Sequence, residues 1–199
     1  MAVATRSVAK ELLTYEQYIE GFDRYPPTTV PYEILDGVVY MVQTPNWRHQ
    51  RIAGKIYRTF CQYEETSHRG MAGIAPFDVV IMRRPKLRTR QPDVFFISNE
   101  RQMENKTVLM SGPLMVAPEL VMEVLSSSDT ERTIRGKVED YASIGVLECW
   151  LVSPEAETVE IRRLTAEVIE TVAIYSYSQT LTSVVFPDLT IAVADIFAD

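Results

Sequence analysis

Apolar and polar positions recur with two different periods along this chain, and the changes of period mark its elements. Thr14-x-x-Gln17 reads as a capping box that opens a short helix, with Gly21 able to close it. A proline-rich stretch over 25–31 reads as a connector. Residues 32–35 and 38–42 flank Asp36-Gly37, the dipeptide of a type I′ turn, and predict a β-hairpin. Thr44-Pro45 then predicts a helix start, with proline at the first helical position and the helix running to about Cys61. On that helix Ile52, Ala53, Ile56, Tyr57 and Phe60 share one face, and His49 falls among them. Arg48, Arg51, Lys55 and Arg58 form a basic stripe beside it.

Residues 77–82 and 92–97 predict two strands of one antiparallel hairpin, joined by a basic loop over 83–90. Residues 99–118 read as a polar connection with room for a short helix. Residues 120–125 are almost entirely apolar, as in a strand buried on both faces. Ser128-Asp129-Thr130-Glu131 predicts a capped helix with Ile134, Val138, Tyr141 and Ala142 on its apolar face, ending at Gly145. Residues 148–152, 158–164, 168–175 and 189–193 supply further strands. Helices interrupting hairpins and single strands predict an α/β, mixed α+β architecture: a mixed central β-sheet flanked by helices, in one domain over 1–199 with an N-terminal extension of about twelve residues.

Composition narrows the class. Of 199 residues, 46% are hydrophobic and 24% charged, which fits a globular protein and excludes a wholly disordered or collagen-like chain. Two cysteines and two histidines support neither a disulfide framework nor a Cys- or His-rich zinc site. No apolar run is long enough to span a membrane, and the first residues lack a signal-peptide core, so a cytoplasmic protein with no membrane partner is expected. The net charge of −7 argues against a generic nucleic-acid binder. Its distribution is uneven, however. Residues 48–90 carry ten Lys/Arg against three Asp/Glu, while the remainder is strongly acidic. A basic segment in an acidic protein fits a polyanion bound on one face, and equally a solvated surface.

Two residues are costly for a core. Asp93 lies in Pro92-Asp93-Val94-Phe95-Phe96-Ile97, and Glu123 in Leu120-Val121-Met122-Glu123-Val124-Leu125. A buried, unpartnered carboxylate costs several kcal/mol or protonates. Two of them in one sheet invite a hard cation such as Mg²⁺; each alone also fits a strand end facing water. Lys137, one helical turn before Tyr141, can point along the sheet toward them or stand exposed. Glu33 and Asp78 are further candidate charges, with a strand edge and a hairpin's polar face as alternatives.

The segments Tyr32-Glu33-Ile34-Leu35-Asp36-Gly37, Arg48-His49-Gln50-Arg51-Ile52, Gln91-Pro92-Asp93-Val94, Pro118-Glu119-Leu120-Val121-Met122-Glu123-Val124-Leu125-Ser126, and Lys137 through Tyr141-Ala142 to Gly145-Val146 resemble, in order, the Uma-two family. That family, long catalogued as a domain of unknown function, is placed in the PD-(D/E)xK nuclease superfamily. The resemblance runs from about Leu13 to Asp195-Ile196-Phe197. It implies a restriction-endonuclease-like fold and metal-dependent hydrolysis of DNA phosphodiesters. It implies Asp93, Glu123 and the Val124 carbonyl as ligands of Mg²⁺ or Mn²⁺, with Glu33 as a supporting acid. The superfamily lysine normally lies two residues after the second acid, where this chain has Leu125. The family reading moves it to Lys137, which would orient water or stabilise transition-state charge. His49, Asp78, Gln91 and Tyr141 become candidate lining residues. Arg48, Arg51, Lys55, Arg83, Arg84, Lys86, Arg88 and Arg90 become candidate phosphate contacts. The expected partners are DNA and, for cutting two strands, a second copy of the chain. Alternatives of other classes are a catalytically silent nucleic-acid-binding or regulatory module on the same fold, a homo-oligomeric scaffold paired through its apolar C-terminal strands, and a glycosidase using the paired acids, which leaves the basic segment without a role.

Overall fold

The computed structural model describes residues 12–21, 31–103 and 112–198. Most of the expected N-terminal extension (1–11), most of the proline-rich connector (25–30) and the middle of the polar connection (104–111) lie outside them.

Helix α1 (Tyr15–Glu20) opens with the expected capping box of Thr14 and Gln17 and closes at Gly21. Strands β1 (Tyr32–Leu35) and β2 (Val38–Met41) form the expected hairpin. Asp36 and Gly37 both have positive φ, 54° and 77°, as a type I′ turn requires. Helix α2 (Trp47–Ser67) differs at both ends from expectation. Its N-cap is Asn46, whose side chain accepts the His49 N–H, rather than Thr44-Pro45. It runs past Cys61 because Tyr63 continues the buried face, and it stops only where His68 turns left-handed.

Strand β3 (Gly70–Ile74) has no counterpart in the sequence pattern. Its glycines pack under large neighbours: a Cβ on Gly73 would lie 2.0 Å from the Phe95 ring. An aromatic covering a strand glycine restores the packing the glycine lacks. Strand β4 (Val79–Met82) pairs with β5 (Arg88–Arg90), not with the strand after it, so the expected hairpin partner is corrected. The basic loop is shorter than expected, because Leu87 and Thr89 are buried and Thr89 Oγ1 accepts the Ile34 N–H at 3.2 Å. Strand β6 (Val94–Ser98) pairs instead with β3 and with β7 (Leu120–Val124). Helix α3 (Asn99–Met103) is the expected short helix. Helix α4 (Glu131–Ile144) is capped two residues later than predicted, by Thr130 with Thr133 rather than Ser128 with Glu131, and ends at Gly145 in the left-handed region. Strands β8 (Glu148–Ser153), β9 (Thr158–Leu164) and β10 (Ile169–Ser176) follow as a meander. Strands β11 (Thr180–Thr182) and β12 (Thr190–Ala192) pair, and helix α5 (Val193–Phe197) ends the described chain.

The central sheet has six strands in the order β10-β9-β8-β7-β6-β3. Only β7 and β8 run parallel within it, and α4 connects them. A parallel pair needs such a crossover, so β7-α4-β8 holds α4 against one face of the sheet. Alternation along the strands makes two cores. Val94, Phe96, Leu120, Met122 and Trp150 pack with Ile52, Ile56 and Phe60 of α2. Phe95, Ile97, Val121 and Leu151 pack with Val138 and Tyr141 of α4. Each fully buried side chain of this size contributes about 1.5–3 kcal/mol. A third, smaller cluster of Tyr18, Ile34, Val39, Val80 and Leu87 fastens the two small hairpins to α1.

Candidate active site

The alternation that builds the two cores also aims Glu123. Met122 and Val124 point toward α2, so Glu123 points toward α4. There it is 4% exposed and meets two partners. Lys137 donates from Nζ to its Oε2 at 2.6 Å, and the Tyr141 hydroxyl donates to its Oε1. Lys137 and Tyr141 lie one turn apart, so one face of α4 presents both. Burial pushes the Glu123 carboxyl above the ordinary carboxylate range; the Lys137 charge opposes this and the Asp93 charge adds to it. Burial also works against the Lys137 ammonium, but the charges of Glu123 and Glu33 outweigh it and hold Lys137 well above the ordinary lysine range. Burial beside Glu123 likewise pushes the Tyr141 phenol upward.

Asp93 stands just before β6 rather than inside the strand expected over 92–97, which begins at Val94. The β6–β7 ladder pairs Val94 with Met122, and one step further along that register Asp93 falls opposite Glu123. Asp93 Oδ2 accepts the Val124 N–H at 2.8 Å. His49 Nε2 lies 3.3 Å from the same oxygen, and both side chains are largely buried. Burial would lower the His49 pKa, but the hydrogen bond and charge of Asp93, the charge of Glu123 and the Val124 carbonyl together raise it. His49 Nδ1 is buried with no hydrogen-bond partner among the described residues.

Glu33 closes a charged chain behind these groups. Arg90, 8% exposed, donates from one guanidinium nitrogen to Glu33 Oε2 at 2.8 Å. Its other nitrogens grip Asp140 Oδ2 at 2.7 and 2.8 Å, and Arg88 holds Asp140 Oδ1 at 2.7 Å. Arg88 also reaches Asp36 at 2.7 Å. Hairpin β1–β2, strand β5 and helix α4 are thus fastened together beside Glu123. Asp78 lies in a separate polar pocket. Its carboxylate accepts from the Tyr18 hydroxyl at 2.6 Å, Gln91 Nε2 at 2.9 Å and the Tyr32 hydroxyl at 3.2 Å. Burial is the main influence on its pKa and raises it despite these donors.

The sequence-predicted residues therefore divide. Asp93, Glu123, Lys137, Tyr141 and His49 come together at the end of the sheet where β7 finishes, and the Val124 backbone joins them. Glu33 is adjacent in charge but committed to Arg90. Asp78 and Gln91 hold each other. Arg88 and Arg90 are not part of an exposed basic loop, since both sit in ion pairs with acidic side chains; phosphate contact by Arg90 is corrected on this ground. Arg83, Arg84 and Lys86 are exposed, with Arg84 paired to Glu16 and Arg83 over the Tyr15 ring at 5.5 Å. Arg48 and Arg51 are exposed and Lys55 is half-buried; Arg48 pairs with Glu157 at 3.2 Å. Asp140 was not anticipated. Its signal was the 137–140–141 spacing, which puts Lys137, Asp140 and Tyr141 on neighbouring positions of one helix.

Among the described residues no three His, Cys, Asp or Glu side chains gather in metal-ligating geometry. Two carboxylates and a carbonyl nonetheless fit Mg²⁺ or Mn²⁺. Such hard ions take oxygen donors, need only one or two protein carboxylates and complete their shell with water. Burial, and to a lesser degree the Asp93 charge, raise the Glu123 carboxyl against the pull of Lys137, and a cation held between the two acids would favour its ionised form.

The fold defines the class, that of a mixed α+β protein with acids and a lysine gathered at one end of its central sheet. The family model Uma2, described as "Putative restriction endonuclease", matches residues 19–194, and the chain belongs to that family. A crystal structure of "a putative nuclease belonging to DUF820" from Anabaena variabilis superposes with a TM-score of 0.72 at 16% identity. The match covers 94% of this chain and 98% of that one. It shows the shared fold. No curated protein matches.

Proposed function

We propose that the chain is a metal-dependent endonuclease that hydrolyses DNA phosphodiester bonds. The observation that carries this reading is the meeting of Asp93, Glu123 and Lys137, from three different segments, at one end of the sheet. Asp93, Glu123 and the Val124 carbonyl would hold Mg²⁺ or Mn²⁺. Such an ion supplies a nucleophilic water near neutral pH and neutralises charge on the phosphoryl oxygens. Lys137 stays protonated, so it acts as a fixed positive charge toward the phosphoryl group rather than as a base. Tyr141 orients Glu123, and Val124 N–H orients Asp93. The exposed cations Arg48, Arg51, Arg83 and Lys86 supply attraction to the backbone of either strand without sequence preference. Cutting both strands calls for two sites, so a homodimer is part of the proposal, readable by light scattering.

The test is cleavage of supercoiled plasmid with Mg²⁺ or Mn²⁺ beside Asp93→Ala and Lys137→Ala. The expected result is cutting by the parent alone, both variants remaining folded. Cutting by Asp93→Ala at the parental rate would remove the metal site from the reaction. One observation favours a second reading, a silent binding module: both Glu123 oxygens are already engaged, by Lys137 and Tyr141. A parent that binds DNA but never cuts it would support that reading.

A further inference from the structure

Trp47 is 79% exposed, the most exposed of the large hydrophobic side chains among the described residues. A tryptophan left in water forfeits the large apolar burial that makes this residue valuable in cores and interfaces. Its surroundings are cationic. The Arg51 guanidinium stands over the ring, 6.0 Å from its centroid. At 100° per residue Trp47, Arg51, Lys55 and Arg58 share the outward side of α2, with Arg48 at its margin. Arg48 is engaged by Glu157, whereas Arg51, Lys55 and Arg58 form no salt bridge among the described residues. His49, two residues on, lies on the inward side and touches Asp93. The ring therefore stands on the opposite side of the first turn of α2 from His49 and the carboxylates, more than one helix width away.

We propose that Trp47 is a stacking platform for an unpaired base, further along the strand from the nucleotide held at Asp93 and Glu123, so that the favoured substrate contains single-stranded DNA. This rests on the nuclease reading and narrows its substrate class. An aromatic ring accepts the face of any base, and an interleaved basic track follows the backbone; together they are the features of single-strand binding. Paired bases in a duplex have no free face to offer. An apolar protein partner fits poorly here, because the ring is flanked by Arg51, Lys55 and Arg58, which form no salt bridge among the described residues.

The chain contains two tryptophans, which makes the idea readable without labels. Trp150 is fully buried and its indole N–H is bonded to Glu148, so ligand-dependent emission changes report Trp47. The experiment titrates the protein in chelator with a short single-stranded deoxyoligonucleotide and with a hairpin duplex of the same sequence. The parent's emission should be quenched by the single strand far more than by the duplex. Trp47→Ala should weaken single-strand affinity by about 5- to 150-fold, the range for loss of one stacked base, with duplex affinity unchanged and Trp47→Phe in between. Equal single-strand affinity in parent and Trp47→Ala, while the parent still cuts plasmid, overturns the stacking platform alone. Equal losses for single strand and duplex also overturn it, pointing to a general change in α2. No binding of either DNA at low salt, with no cutting, overturns the nuclease reading and this inference with it.

Discussion

Glu123 is the residue on which the site turns, because it is buried and held at both oxygens. Tyr141 touches it without being a candidate ligand. Removing that hydroxyl in Tyr141→Phe leaves the ring in its core and frees Oε1 to drift. Losing a group that orients a ligand typically costs 10- to 100-fold. Plasmid cleavage should fall by about that factor while the thermal melt stays close to the parent's. Asp78 makes the opposite kind of prediction, about stability alone. Its folded pKa is raised, so its contribution is fully present below the unfolded value of about 3.9 and is lost as pH rises through the folded value. Asp78→Asn cannot ionise. Urea unfolding at pH 4 and pH 7 should therefore show the variant gaining on the parent as pH rises; a constant difference would remove ionised Asp78 as a cost. The acids of the site were legible one by one, because a carboxylate within an apolar run is expensive. Asp140 and the true setting of Arg90 were not, because each is made affordable by a residue about fifty positions away.

Elements carry the same lesson. Helix α2 was legible from its 3.6-residue periodicity and the β1–β2 hairpin from Asp-Gly, both local signals. Strand β3 was not, since Gly70-Met71-Ala72-Gly73-Ile74 has little intrinsic strand preference and owes its place to Phe95 lying over Gly73. Strand β5 looked like a polar loop because its arginines are neutralised only in the folded chain. That neutralisation ties β5 and hairpin β1–β2 to α4, the helix that delivers Lys137 and Tyr141. Breaking a buried ion pair by removing one partner typically costs about 3–5 kcal/mol. Arg90→Met should lower stability by about that amount in urea unfolding. It should also reduce cleavage at temperatures where the variant is still folded, since α4 loses its register against the acids. Parental stability in this variant would mean that Glu33 and Asp140 find other partners.

At the scale of the whole molecule, the mixed six-stranded sheet brings β6, β7 and α4 to one end, and the N-terminal turn of α2 adds His49 there. The order of motifs along the chain was enough to indicate this family and this sheet, whereas the pairing of β4 and β6 depended on partners far apart in sequence. Net charge is negative, yet exposed arginines and lysines line α2 and the tip of the β4–β5 hairpin. These features meet in the proposal that Asp93 and Glu123 bind a divalent ion that Lys137 serves. Calorimetric titration with Mn²⁺ tests it most directly, on the parent beside Asp93→Ala and Lys137→Ala. The expected result is one Mn²⁺ bound per chain, lost in Asp93→Ala and retained in Lys137→Ala, where loss of the ammonium frees Glu123 Oε2. Equal Mn²⁺ binding by the parent and Asp93→Ala, or none by any of the three, would contradict it.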